Sequence, residues 1–190
     1  MFKFNSDWTL FLDRDGVINR RLPGKYVRSV AEFEFLPNVP DAIAVFTQIF
    51  GRVIVVTNQQ GIGKGLMTEQ DLEIIHQYMF KKIEAFGGQI EAAYFCPDLR
   101  DAPFSCRKPE PVMALWAQRD FPEIRFKKSA MVGDSLSDMF FGRTLGMQTI
   151  FVETNPEEVV KVLEQERADK RFKIDLKVSG LSELAEMIRS

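Results

Sequence analysis

Along this chain, short runs of almost unbroken apolar residues alternate with longer stretches in which apolar residues return every three or four positions. The short runs are Trp8–Leu12, Val53–Thr57, Ala92–Phe95, Ser129–Gly133 and Gln148–Val152. They are rich in β-branched or aromatic residues and show little polar alternation, which predicts strands buried on both faces, as in a parallel sheet. The periodic stretches predict helices over 40–50, 69–86, 111–119 and 136–145. In the second, Leu72, Ile75, Met79, Ile83 and Phe86 form one stripe, and Thr68 with Asp71 resembles a capping box. The last part repeats the pattern more weakly: a helix over Pro156–Glu166, a strand over Ile174–Val178 and a helix over Ser182–Ile188, with Arg167–Lys173 as a solvated connection. Regular strand–helix alternation predicts an α/β fold with a doubly wound parallel sheet.

Bulk properties narrow this picture. A length of 190 residues suits one domain spanning 1–190, and an apolar fraction of 45% is enough for a sizeable core. A net charge of −2 argues against a dedicated nucleic-acid surface. The start, MFKFNSDW, lacks the apolar region of a secretion signal, and no apolar run approaches the roughly 20 residues of a membrane span. Two cysteines make no disulfide framework. The expectation is therefore a cytoplasmic protein, monomeric or weakly oligomeric, that meets a small molecule and neither nucleic acid nor membrane.

In a doubly wound fold, ligands bind beyond the C-terminal ends of the strands. The polar residues there are Asp13 and Asp15 after the first strand, then Thr57, Asn58, Gln59 and the GIGKG of 61–65 after the second. Arg107 and Lys108 follow the third, and Asp134 and Asp138 the fourth. Several carboxylates crowded at one sheet edge need a cation, and all-oxygen ligands suit Mg²⁺, which favours sites shared with a phosphate. One carboxylate can attack phosphorus while another moves the proton of the leaving oxygen and then of water. Lys108 and the Thr57 hydroxyl would hold the phosphoryl oxygens. His76 is the only histidine, which removes any Ser–His–Asp scheme. It is expected on the solvated face of its helix, beside Glu73 and Gln77. Arg14 reads equally as structural or functional.

Together, FLDRDGVIN, VVTNQQGIGKG, YFCP, CRKPEP and MVGDSLSDM resemble the motifs of the haloacid dehalogenase (HAD) superfamily of phosphatases. The similarity is greatest to its histidinol-phosphatase and D-glycero-D-manno-heptose 1,7-bisphosphate phosphatase branch, and covers roughly residues 8–152. The resemblance implies a Rossmann-like phosphatase domain in which Asp13 is the nucleophile. Asp15 is then the general acid/base and gives its backbone carbonyl to Mg²⁺. Thr57, Asn58 and Lys108 bind the transferring phosphoryl group, and Asp13, Asp15 and Asp134 hold the metal. Asp138 becomes a supporting residue or an alternate ligand. Arg107 recognises substrate, with Gln59 and Lys64 as further candidates. The branch carries a lysine after the fourth-motif aspartate where this chain has Ser135.

The expected activity is Mg²⁺-dependent hydrolysis of a phosphate monoester through an aspartyl phosphate, with heptose 1,7-bisphosphate as the leading substrate. Histidinol phosphate, a polynucleotide 3′-phosphate and a phosphoaspartate signalling role are the alternatives. Only 43 residues separate Asp13 from Thr57 and 50 separate Thr57 from Lys108. Neither gap holds a further domain of the usual minimum of about 50 residues, so the fold is expected to be capless, with loops at Arg20–Ser29, 61–65 and Pro97–Arg107 setting specificity. The branch commonly holds a structural Zn²⁺ in the last of these loops through Cys-x-His and Cys-x-Cys pairs. Here Asp98 and Phe104 stand at two of those positions. Zinc is therefore expected to be absent, Cys96 and Cys106 to be free thiols, and the loop to be held by burial of Phe104.

Overall fold

In the computed structural model, which describes residues 3–189, six strands form one parallel sheet. They are β1 (Thr9–Leu12), β2 (Arg52–Asn58), β3 (Ala92–Cys96), β4 (Ser129–Gly133), β5 (Gln148–Val152) and β6 (Leu176–Val178). Their order is β3-β2-β1-β4-β5-β6, with every neighbouring pair parallel. The chain thus winds outward from β1 in one direction, returns, and winds outward from β4 in the other. The switch point falls between β1 and β4, where such sheets open a crevice.

The helices are α1 (Val39–Ile49), α2 (Gln60–Gly63), α3 (Glu69–Glu84), α4 (Val112–Asp120), α5 (Leu136–Leu145), α6 (Pro156–Ala168) and α7 (Leu181–Arg189). Strand residues alternate between two cores. Leu10, Leu12, Val53, Val55, Ala130 and Val132 pack with α1, α3 and α7. Phe11, Ile54, Val56 and Met131 face α4 and Phe141 of α5. Both faces of the central strands are therefore buried, which is why they read as unbroken apolar runs.

Most differences from the expected elements are one or two residues at an end, where helices fray and strands lose partners. The four-residue α2 was not expected. Phe86 does not complete the α3 stripe: the helix ends at Glu84, and Phe86 lies exposed beyond it. The Thr68–Asp71 capping box is formed, each residue bonding the other's backbone N–H. The Arg and Lys side chains of the segment 167–173 are exposed, as expected of a solvated connection, but α6 runs on to Ala168 and Phe172 is buried against Met139, Phe151 and Val162.

Candidate active site

Asp13 leaves β1 with its backbone N–H donating to the Val132 carbonyl of β4 (2.9 Å), so the end of β1 is tied to the strand that delivers Asp134. The Asp13 carboxylate is oriented through Oδ1, which accepts from the Arg14 N–H at 2.7 Å and lies 2.9 Å from Lys108 Nζ. Lys108 is buried. Its ammonium is 2.7 Å from Asp138 Oδ1 and donates to the Val56 carbonyl at 2.8 Å. Burial alone would lower its pKa, but the two carboxylates outweigh that and hold it above the usual lysine value. One lysine cannot neutralise both partners: burial and the nearby Asp138 leave Asp13 above the usual carboxylate range despite Lys108.

Asp138 also accepts, through Oδ2, from the Ser135 N–H (3.1 Å) and hydroxyl (2.6 Å), capping α5. It comes so close to β4 that a Cβ on Gly133 would fall 2.2 Å from its own Cβ. Asp138 is thus built as the second anchor of Lys108. Asp134 is buried beside it, and its Oδ2 has no hydrogen-bond partner. Burial, with Asp13 and Asp138 nearby, pushes its pKa up to about 8 although Arg21 opposes the shift. Gly16, at φ +96°, leaves room for that oxygen: a Cβ there would sit 2.0 Å from Asp134 Oδ2.

Ligand oxygens of Asp13, Asp134 and Asp138 lie within 4.8 Å of one another. An orphaned buried oxygen, hard oxygen donors and excess negative charge all fit a small divalent cation. With Asp138 committed to Lys108, the residues that would hold it are Asp13, Asp134 and the Asp15 carbonyl.

Asp15 is held differently. Its carboxylate accepts from Arg14 Nη2 (3.0 and 2.9 Å), Asn19 Nδ2 (2.9 Å) and Gln59 Nε2 (2.9 Å). Burial would raise its pKa, but these donors, led by the Arg14 charge, hold it below the ordinary value. Arg14 is wholly buried, and its Nη1 lies 3.4 Å from His76 Nε2. The expectation of a solvated His76 is therefore corrected. The ring is buried under the site, on the same side of α3 as Ile75 and Met79, and supports Arg14.

Other residues also take definite places. Thr57 is buried, and its Oγ1 accepts from Gln59 Nε2 at 2.8 Å. Gln59 is itself buried and bridges Thr57 to Asp15, so its amide positions those two groups. Asn58 Oδ1 accepts from the Lys108 N–H at 3.0 Å and clamps the lysine's backbone. Lys64 and Arg107 line a cavity of about 670 Å³ together with Asp13, Asp15, Arg21 and Lys161. Lys64 stands over the Tyr26 ring at 5.4 Å, and Arg107 Nη1 is buried without a partner.

Sequence reading missed two supports of this site. Arg21, read only as part of a basic loop, donates to Asp134 Oδ1 (2.6 Å) and to the Asp15 carbonyl (3.2 Å). Glu158 of α6 accepts from the Leu136 N–H at the start of α5 (2.9 Å). An acidic residue near a helix start signals a cap, but nothing local says which helix it will cap.

The loop after β3 corrects two expectations. Cys96 and Cys106 are joined in a disulfide (S–S 2.08 Å) and are not free thiols. Phe104 is fully exposed at φ +55° and is not buried. The bridge and the Asp98 carboxylate, which accepts the Cys106 N–H at 2.9 Å, close the neck of the loop, so its tip needs no apolar anchor.

His76 gives a pH test of this architecture. Burial, with Arg14 beside it, lowers its pKa to about 3 from 6.5. Unfolded histidine takes a proton near pH 6.5, whereas the folded ring stays neutral to about pH 3. Its contribution is complete above pH 6.5 and is lost as pH falls toward 3, by about 2 kcal/mol at pH 5. His76→Gln keeps an acceptor for Arg14 and removes this titration. Denaturant unfolding in EDTA at pH 7.5 and pH 5.0 should show the wild type losing about 2 kcal/mol more than the variant. Equal losses would mean that the ring is not held neutral.

Comparison with known proteins gives one consistent result. A family model described as HAD-hydrolase-like matches residues 105–183. A D-glycero-α-D-manno-heptose-1,7-bisphosphate 7-phosphatase of Mycobacterium bovis is 42% identical over 132 residues, 70% of each chain. A D-glycero-D-manno-heptose-1,7-bisphosphate 7-phosphatase of Chlorobaculum tepidum is 35% identical over 160 residues, 78% of this chain and 80% of that one. The crystal structure of the D,D-heptose 1,7-bisphosphate phosphatase of B. bronchiseptica, complexed with magnesium and phosphate, superposes with a TM-score of 0.84. It is 28% identical and covers 95% of this chain and 97% of its own.

Proposed function

This chain belongs to the HAD-like family of heptose bisphosphate phosphatases, and on that premise we propose that it hydrolyses the 7-phosphate ester of D-glycero-D-manno-heptose 1,7-bisphosphate with Mg²⁺ as its metal. The observation that carries the mechanism is Lys108 locked between Asp13 and Asp138 at the switch point of the sheet. With Oδ1 engaged by Lys108 and the Arg14 N–H, the Asp13 carboxylate presents its other oxygen to phosphorus. That oxygen forms the new P–O bond as the ester P–O bond to the sugar breaks, and the departing sugar oxygen takes a proton from Asp15. Water then attacks phosphorus and gives its proton to Asp15. Inorganic phosphate leaves, and the Asp13 carboxylate is restored. The Lys108 charge and the Thr57 hydroxyl stabilise the phosphoryl oxygens through both steps, the lysine by exchanging one of its three present contacts for the substrate. Mg²⁺, when bound by Asp13, Asp134 and the Asp15 carbonyl, neutralises charge on the phosphoryl group.

Four donor contacts favour the ionised form of Asp15 in the resting site. Ionised Asp15 is the form that accepts the proton of water, and the leaving-group step needs it protonated. The reading takes the whole chain as one capless domain with an open site, working in the cytoplasm. The test is a panel of phosphate esters containing both heptose bisphosphate anomers, histidinol phosphate and a 3′-phosphorylated oligonucleotide. A heptose bisphosphate should give the highest kcat/KM. Preference for either of the other two would overturn the assignment.

Arg107 should act on the second anion of the substrate, since its side chain lines the cavity beside Lys108 and carries no ion pair there among the described residues. Arg107→Ala is expected to raise KM for the bisphosphate by about tenfold or more, the loss of one charge-assisted contact, with little effect on an aryl monophosphate. An equal loss on both would place Arg107 on the transferring phosphate.

The reading includes no structural zinc, because the bridge consumes both thiols that the ion would need. Elemental analysis of protein purified without chelator should find none. One zinc per chain would refute this.

A further inference from the structure

Arg21 comes from the loop that follows β1 and reaches across the site. Its Nη2 is 2.6 Å from Asp134 Oδ1 and 3.2 Å from the Asp15 carbonyl. These are two of the three groups assigned above to the metal, so one guanidinium nitrogen engages the oxygens that a divalent cation would need. The charges agree with this placement. Arg14 is matched to Asp15. Counted as ionised, the form a metal would bind, Asp13, Asp134 and Asp138 then share Lys108 and Arg21, which leaves one negative charge over, the excess that helps to raise the Asp134 pKa. Replacing Arg21 by a divalent ion brings that balance to zero, whereas holding both would leave a buried positive charge. The arginine also has somewhere to go: its side chain is 40% exposed and lines the open cavity, while Asp134 is 1% exposed.

We propose that Arg21 is the resident counter-ion of the metal position, that it closes the metal-free site by bridging Asp134 and the Asp15 carbonyl, and that a divalent cation must displace it into the cavity. The inference rests on reading the carboxylate cluster as a cation site. Arg21 is a positioning residue here. It holds the metal-free carboxylates in place and raises the metal concentration at which the site fills, because the energy of its ion pair must be given up on metal entry.

The test needs no substrate. Binding of Mn²⁺, followed by electron paramagnetic resonance, and of Mg²⁺, by calorimetry, is compared in the wild type, Arg21→Gln and Arg21→Lys. Arg21→Gln should bind both ions about tenfold more tightly, the equivalent of one charge-assisted contact no longer lost. Arg21→Lys, which keeps a cation, should stay near the wild type. In EDTA, Arg21→Gln should melt below the wild type, and saturating Mg²⁺ should close that gap. A purely structural arginine would lower the melting temperature without tightening metal binding. Unchanged or weaker binding by Arg21→Gln would overturn the inference while leaving the metal site intact. Failure of the wild-type protein to bind either ion would overturn both.

Discussion

Asp13→Asn is expected to abolish turnover on every phosphate ester while leaving the fold intact. The amide oxygen can still accept from the Arg14 N–H and face Lys108, so the end of β1 keeps its shape. On the proposed mechanism the substitution removes the nucleophilic oxygen and one metal ligand. Losses for an essential nucleophile reach ~10⁶ in kcat. Burial and the neighbouring Asp138 already disfavour the Asp13 charge, so its removal should lower the melting temperature little in metal-free protein. Inactivity with an unchanged fold separates chemistry from stability. Asp15→Asn should also cripple the enzyme, but at the second step. Mass spectrometry after a substrate pulse should then find a phosphoryl group on Asp13. Near-normal kcat for Asp13→Asn would remove the nucleophile assignment and with it the proposed mechanism.

The strands and the residues at their ends were legible because a parallel sheet buries both faces of its strands. Val53–Val56 and Ser129–Gly133 are buried without interruption, and a polar residue after such a run has no place except the sheet edge. Asp13, Thr57, Lys108 and Asp134 could be placed on one edge for that reason. Arg14 and His76 were harder. A charged residue inside DRD reads equally as structural or functional, a histidine among polar neighbours looks solvated, and only the packing of α3 against the site makes them a buried pair. Arg21 and the Cys96–Phe104–Cys106 loop depend on contacts between segments far apart in sequence, or on backbone conformations that periodicity does not encode. The reach of Arg21 to Asp134 spans more than a hundred residues of sequence, and no local pattern specifies it.

Lys108→Met is expected to cost both activity and stability, and the two losses should be separable. Among the described residues the ammonium is the only cation that touches both Asp13 and Asp138, so its removal leaves two buried carboxylates facing each other. Breaking a buried pair by deleting one partner costs about 3–5 kcal/mol, which denaturant unfolding would read directly. Adding Asp138→Asn to Lys108→Met removes one orphaned charge, while the asparagine side-chain oxygen can still accept from the Ser135 N–H that caps α5. The double variant should recover much of the lost stability. It should not recover turnover, because nothing replaces the charge that holds the phosphoryl oxygens as the transition state forms; removing one such contact typically costs 10²–10³ in kcat. Recovery of both would make Lys108 a structural counter-ion only. Recovery of neither would show that Asp138 does more than anchor the lysine, and the metal-ligand role would return to it.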